Sequence, residues 1–391
     1  MCGNEYEIMS FNRALNWARR LDTRWQRKLN PQRRRVLINA ALPMEYAMME
    51  PVYKRMRADR RVEFYFTSST RSDEMKYIFE DPEESIRTIL PTQAKWMKFD
   101  AYLAADYIWA TLPRGAPRIQ FFHGVAGKYA ERYDRPELSV REWDRFFFIN
   151  RKRMNNFIAC GAIEANSPAA RLVGMPKVDR LVDGTLQQDV ILQALGLDPG
   201  LPTVLYAPTW TPYSSLNAVG EDLVTALAKT GVNLIVKLHD NSLDVRDVRN
   251  SGGIDWVARL NPVLQPPRGH LAKRGTISPY LVAADLMISD HSSAAFEYLL
   301  LDRPLLRIEM PELIARTNIP PDYVALMAES STSVRALPEI LRAVEQGLAN
   351  PELQSQTRKA VTEELFFMPG TATARAAKEL YELMELAPAH A

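Results

Sequence analysis

Two of the five histidines in this chain stand directly after short apolar runs, a placement that suits proton transfer or phosphate binding. In Phe121-Phe122-His123-Gly124-Val125-Ala126-Gly127-Lys128 the imidazole follows an apolar pair, and the two glycines allow a ligand close to the backbone. An imidazole changes charge near neutral pH, so His123 is a candidate general base. Gly124 and Lys128 are placed to hold an anionic acceptor. Val236-Lys237-Leu238-His239-Asp240 repeats the arrangement, and His239 there could meet a phosphate or a leaving group. Position alone leaves a purely structural hydrogen bond equally open to it.

A third segment packs strand, polar turn and helix into consecutive residues. Leu286-Met287-Ile288 is a buried-strand run, and Ser289-Asp290-His291-Ser292-Ser293 ends it with residues that cap helices. A helix is expected from Ala294 to Leu301, stopped by Asp302 and Pro304, with another strand at Leu305–Ile308. Free N–H groups at the start of such a helix favour an anion, and the hydroxyls of Ser292 and Ser293 can donate to phosphate. Glu297, one turn in, is placed to accept from ribose hydroxyls. Asp290 and His291 would cap the helix or shape the site. A plain capped helix with a solvated Glu297 uses the same residues. Tyr206-Ala207-Pro208-Thr209-Trp210 ends a further run, and Thr209 there could meet phosphate, although an ordinary turn reads the same.

The positioning elements form one alternating pattern. Apolar runs at Val36–Ala40, Val62–Thr67, Ala101–Ala104, Ile119–Phe122, Phe146–Asn150 and Leu172–Gly174 read as strands separated by helical or loop stretches. The pattern restarts at Thr203–Ala207, Leu234–Leu238, Leu286–Ile288 and Leu305–Ile308. Pro262–Ser278, with His270 and Lys273, reads as a solvated loop. Helices are expected at Val334–Gln346, Pro351–Leu365 and Thr371–Met384. This alternation predicts α/β architecture with two Rossmann-like, doubly wound domains facing a cleft, whose ligands bind at strand carboxyl ends.

Composition bounds the class. The chain has 391 residues, 47% of them hydrophobic, enough for two globular domains. Cys2 and Cys160 are the only cysteines, so no disulfide framework is available and a reducing compartment is expected. Neither a spanning run nor a secretory signal is visible, which places the protein in the cytoplasm. The net charge of +2 hides a basic start: Arg13, Arg19, Arg20, Arg24, Arg27, Lys28, Arg33, Arg34 and Arg35 stand against Glu5, Glu7 and Asp22. Phe11, Leu15, Ala18, Leu21, Trp25 and Leu29 follow helical spacing there, an amphipathic helix suited either to packing on its own domain or to an anionic membrane surface through residues 1–30. No base-reading motif accompanies the charge, and a nucleic-acid partner is not expected.

In order, the motifs His123-Gly124 with Lys128, Gly174-Met175-Pro176-Lys177-Val178-Asp179-Arg180, Ala207-Pro208-Thr209-Trp210, His239, and Asp290-His291-Ser292-Ser293 with Glu297 resemble the CDP-glycerol glycerophosphotransferases of the teichoic-acid type. The resemblance implies the GT-B fold, with a basic helix over 1–32, an acceptor domain over 33–178, a nucleotide-donor domain over 179–370 and a terminal helix over 371–391 packing back across them. It implies transfer of an alditol phosphate from a CDP-linked donor to a hydroxyl of a glycan or polyol-phosphate acceptor, with CMP leaving. His123 would be the base; His239, Thr209, Ser292 and Ser293 would hold the diphosphate; Glu297 would bind ribose. No metal-ligand cluster is visible, so no metal or other cofactor is required, with room for Mg²⁺ on the nucleotide. This chain departs from the family pattern at Val125-Ala126-Gly127, at His291 in place of tyrosine, at Thr211 in place of arginine, and at Glu297 in place of aspartate. A GT-B glycosyltransferase, a UDP-sugar 2-epimerase and a non-catalytic nucleotide-binding protein share many of these features.

Overall fold

The computed structural model describes residues 14, 17–22, 24–25, 28–81, 84–105, 116–126, 143–273 and 275–388. The chain divides after Lys177 and again after Gly370 into two compact units. The first holds the chain up to His123, the segment that ends at Lys177 and the residues from Thr371 onward. The second holds Val178–Gly370 and a short run that begins at Gly124.

Among the described residues the first unit carries β1 (Arg34–Asn39), β2 (Val62–Thr67), β3 (Ala101–Ala104), β4 (Arg118–Phe121), β5 (Arg145–Phe148) and β6 (Ala170–Leu172). They form one parallel sheet in the order β2-β1-β3-β4-β5-β6. The second unit carries β7 (Thr203–Tyr206), β8 (Asn233–Lys237), β9 (Gly269–Ala272), β10 (Leu286–Ser289), β11 (Leu305–Ile308) and β12 (Thr332–Val334), all parallel in the order β12-β11-β10-β7-β8-β9. In a doubly wound sheet the strand order reverses at one point, and a crevice opens there at the carboxyl ends of the strands. The second sheet reverses between β7 and β10. The segments after these two strands are Pro208–Ser215 and Asp290–Ser293.

Burial on both faces explains why the central strands read as continuous apolar runs. Val204, Tyr206, Leu286, Ile288, Leu306 and Ile308 lie in one core cluster, at every second position of their strands. The edges behaved differently. β9 lies inside the expected loop Pro262–Ser278, and β12 occupies the start of the expected helix at Val334, which begins instead at Leu337. Both are short edge strands of mixed polarity, Gly-His-Leu-Ala and Thr-Ser-Val, too short to show a period and held by one neighbour each. Gly269 is required by space: a Cβ there would lie 2.6 Å from the Gln265 nitrogen. His270, expected in a solvated loop, is on β9 and stacks on Tyr280 with ring centroids 5.8 Å apart. Burial lowers its pKa below the ordinary histidine value.

The helix Ala372–Leu383 packs in the first unit. Arg375 Nε donates to the Val173 carbonyl at 2.7 Å, Tyr381 Oη donates to Asp59 at 3.1 Å, and Arg171 pairs with Glu379 at 2.9 Å. The N-terminal helix is also seated there, with Ala18 and Leu21 of its expected apolar stripe half-buried. Arg19 Nε donates to the Lys95 carbonyl, and Asp22 accepts from the Lys98 N–H and from Arg35 Nη1, so a polar pair faces the unit. Trp17, Trp25 and Leu29 are exposed instead. Phe11 and Leu15 lie outside the described residues. Among the described residues no helix is long and apolar enough to cross a membrane.

Candidate functional site

An aromatic cluster holds Phe122, the residue between β4 and His123. Phe122 stacks on Phe148 at 5.1 Å between ring centroids and meets Phe157 edge-on at 5.5 Å, while the Arg153 guanidinium lies 4.3 Å from the Phe122 ring centroid. This cluster fixes where the chain leaves β4, and His123 is the next residue. Its Nδ1 lies 2.9 Å from the carbonyl of Ala105, just past the end of neighbouring β3. A carbonyl only accepts, so Nδ1 carries the hydrogen and the neutral ring keeps its lone pair on Nε2. That is the tautomer a general base needs. Gly124 follows directly, whereas Lys128 lies outside the described residues.

His239 is set the other way. It follows β8 and Leu238, and its Nδ1 accepts from the Asn241 N–H at 3.1 Å, which caps the 3₁₀ turn Asp240–Leu243. Nδ1 therefore holds the lone pair, and neutral His239 carries its hydrogen on Nε2. The ring packs against Trp210, with centroids 6.0 Å apart. His239 is thus built as a hydrogen-bond donor, and it also performs the structural capping that its position left open.

Asp290 occupies the switch between β7 and β10. It is fully buried and accepts four hydrogen bonds: from Thr209 N–H at 3.0 Å, Thr209 Oγ1 at 3.1 Å, and the N–H and Oγ of Ser215, both at 3.0 Å. Tyr206 Oη lies 2.9 Å from Ser215 Oγ and extends the chain. Burial holds the Tyr206 phenol well above its ordinary pKa, so it stays neutral. The single hydroxyl hydrogen of Thr209 is directed at Asp290, so Thr209 does not offer it to a phosphate in this conformation. Asp290 does not cap the helix either. It pins the turn after β7 to the end of β10, surrounding its own charge with four donors at the place where an anionic ligand is expected.

The cap is Ser292, whose Oγ accepts from the Ala294 N–H at 3.4 Å. The helix Ser293–Tyr298 continues as a 3₁₀ turn to Leu301 and ends at Asp302 in the left-handed region, φ 52°. Ser292 and Ser293 are partly exposed and Glu297 is buried in the same helix. His291 is wholly buried, and its carbonyl accepts from Tyr323 Oη at 3.2 Å. The His291 side chain is therefore part of the interior. A clasp secures the far end of the helix: Arg358, 1% exposed, binds the side chain and carbonyl of Asp302, which also accepts from Ser355. Burial alone would raise the Asp302 pKa, but bonds from Ser355, Lys359 and Arg358 outweigh it and hold the carboxyl below its ordinary value.

The structure brings Thr209, Asp290 and Ser215 into one cluster, seats His239 against Trp210, and places Ser292, Ser293 and Glu297 on one helix. His123 belongs to the first unit. Among the described residues no group of three or more His, Cys, Asp or Glu could hold a metal ion. Sequence reasoning missed Ser215, which carries half of the Asp290 bonds, and the buried Ser251. The Ser-Gly-Gly run at 251–253 was the available signal for the latter.

Two parallel, doubly wound sheets in one chain define the GT-B fold. Residues 117–382 match the CDP-Glycerol:Poly(glycerophosphate) glycerophosphotransferase family, and the chain belongs to that family. Its fold is similar to that of the wall teichoic acid polymerase TagF, at 15% identity and TM-score 0.65 over 91% of this chain and 90% of that one. It is also similar to a putative UDP-N-acetylglucosamine 2-epimerase from Listeria monocytogenes, at 14% identity and TM-score 0.56 over 90% and 97% of the two chains. The S. aureus MnaA–UDP structure matches at 12% identity and TM-score 0.52 over 90% and 98%. No curated protein matches the chain by sequence.

Proposed function

We propose that this enzyme transfers an alditol phosphate, glycerol phosphate or a close relative, from a CDP-linked donor to a hydroxyl of a polyol-phosphate or lipid-linked glycan acceptor. The observation that carries this reading is the opposite setting of the two histidines within the matched stretch. His123 is a base with its lone pair on Nε2, and His239 is a donor with its hydrogen on Nε2. Such a split suits a reaction in which one proton is removed and charge builds elsewhere. His123 Nε2 takes the proton of the acceptor hydroxyl as its oxygen bonds to the phosphorus carrying the alditol. The bond from that phosphorus to the bridging oxygen breaks in line, and CMP leaves with the electron pair. His239 Nε2–H donates to a diphosphate oxygen, and Ser292, Ser293 and the N–H groups of their helix take the remaining charge. Glu297 shapes the ribose end. Any Mg²⁺ would arrive on the nucleotide. A TagF variant has been soaked with CDPG, which supports a CDP-linked donor for this chain.

The epimerase likenesses make a second reading specific enough to test. Purified protein is incubated with an acceptor and, in turn, CDP-glycerol, CDP-ribitol and a panel of UDP-sugars. CMP release is expected with one of the CDP donors. UDP release, or sugar interconversion without nucleotide release, would replace the reading by sugar transfer or epimerisation.

We further propose that the helix within residues 14–29 rests on an anionic membrane surface on the cytoplasmic side. It is held to its unit through Arg19 and Asp22 and turns Trp17, Trp25 and Leu29 outward beside Arg20, Arg24 and Lys28. Aromatic rings among cations fit a lipid headgroup layer. Full-length protein should float with vesicles containing anionic lipid, and removal of residues 1–30 should abolish that flotation. Unchanged flotation of the truncated protein rules the helix out as the anchor.

A further inference from the structure

The most heavily bonded serine in the second unit lies outside every motif that pointed to function. Ser251 is fully buried, and each of its polar groups is used. Its N–H donates to the Trp210 carbonyl at 2.6 Å, and its Oγ donates to the same oxygen at 2.9 Å. Its own carbonyl accepts from Asn217 Nδ2 at 3.0 Å and Trp256 Nε1 at 3.2 Å. Ser242 Oγ lies 2.8 Å from Ser251 Oγ, whose hydrogen is already committed, so Ser242 is the donor.

These bonds converge on His239 by two routes. Through Trp210, Ser251 holds the residue whose indole packs on the imidazole. Through Ser242 it holds the residue whose N–H donates to the His239 carbonyl at 2.8 Å. The imidazole is thus braced by a ring contact and at its own backbone from one buried serine.

The backbone of Ser251 makes the arrangement costly. Ser251, Gly252 and Gly253 have φ of 49°, 75° and 68°, three consecutive residues in the left-handed region. Glycine meets that demand twice, and a Cβ at Gly252 would lie 3.0 Å from Asn217 Nδ2. At the first position a side chain is present in a backbone region that an L residue rarely occupies. Strain retained beside a functional group points to a task for the side chain that bears it.

We propose that Ser251 is a positioning residue for His239, acting through Trp210 and Ser242, and sets the direction in which Nε2–H meets the donor diphosphate. The inference rests on the transferase reading for the identity of that ligand, but the bracing itself can be measured without a donor. Ser251→Ala removes the hydroxyl and keeps the strain; Ser251→Gly removes the hydroxyl and relieves it.

Two readouts apply to both variants. The first is the kcat and donor KM for CMP release, where kcat should fall about ten-fold with KM within about two-fold, the signature of a misdirected group. The second is Trp210 fluorescence, taken as the difference between wild type and Trp210→Phe across the range where imidazole titrates. A protonated imidazole quenches a neighbouring indole. The wild type should therefore show a step on acidification that His239→Ala lacks and that both Ser251 variants weaken. If one Ser251 variant does not fold, the other carries the test. If neither folds, Ser242→Ala, which withdraws only the second brace, should lower kcat and weaken the step to a lesser degree. A folded Ser251→Gly enzyme, failing that a folded Ser251→Ala enzyme, and failing both a folded Ser242→Ala enzyme, with wild-type kcat and an unchanged step overturns the proposal. If the wild type releases CMP from no CDP donor, the transferase reading fails, and the fluorescence step still decides whether Ser251 braces His239.

Discussion

Replacing His123 by alanine should lower kcat by about 10²–10⁴-fold, the usual range for loss of a positioned base, and leave donor affinity within about two-fold. The expectation follows from two features of the first unit. The Ala105 carbonyl holds the hydrogen on Nδ1, so Nε2 carries a lone pair in the neutral ring. The Phe122 stack fixes the backbone from which the ring projects. Alanine keeps the backbone and that stack but removes the only group assigned to take the acceptor's proton. Donor binding, assigned to residues of the second unit, gives the control. Steady-state CMP release at saturating donor and acceptor, with donor affinity measured by calorimetry, checks both parts. Turnover within a factor of about two of wild type would remove His123 from the mechanism.

Asp290→Ala is expected to destabilise the protein more than any other single change at the site. Four donors point at this carboxylate inside a fully buried cluster. The hydroxyls of Thr209 and Ser215 can rotate toward other acceptors, but their N–H groups are fixed by the backbone. Two stranded N–H groups at about 1–3 kcal/mol each give an expected loss of about 2–6 kcal/mol. Asp290→Asn separates charge from geometry. One oxygen remains for the Thr209 N–H, and an NH₂ group then faces the Ser215 N–H, donor against donor, for a loss of about 1–3 kcal/mol. Denaturant unfolding of both variants measures these values. A stability of Asp290→Ala within about 0.5 kcal/mol of wild type would show that the turn after β7 does not depend on this anchor.

The two predictions call on different parts of the chain, and so did legibility. Central strands such as Leu286–Ser289 and Leu305–Ile308 were readable because both faces are buried, which writes a mostly apolar run into the sequence, interrupted in the second by Arg307. The strand-end positions of His123 and His239 followed from the same runs, as did the GT-B fold once the motif order was recognised. The edge strands β9 and β12 were not readable, because a short strand with one neighbour leaves no period. The N-terminal helix was expected either to pack on its own domain or to lie on an anionic membrane surface. It is seated by Arg19 and Asp22, whose partners at residues 95–98 no local pattern reveals.

By itself, then, the sequence determined the alternation of strands and helices, the strand-end placement of the histidines and the family, because all of these are carried by local runs and short motifs. Only the tertiary structure decided which hydroxyl keeps a hydrogen for a ligand and which way each imidazole is set. Thr209 and Asp290 are 81 residues apart, and His123 and Ala105 are 18 apart; both pairs meet only when neighbouring parallel strands bring their ends together. A hydroxyl has one hydrogen and a neutral imidazole has one N–H. Where each is directed depends on the partner that folding delivers.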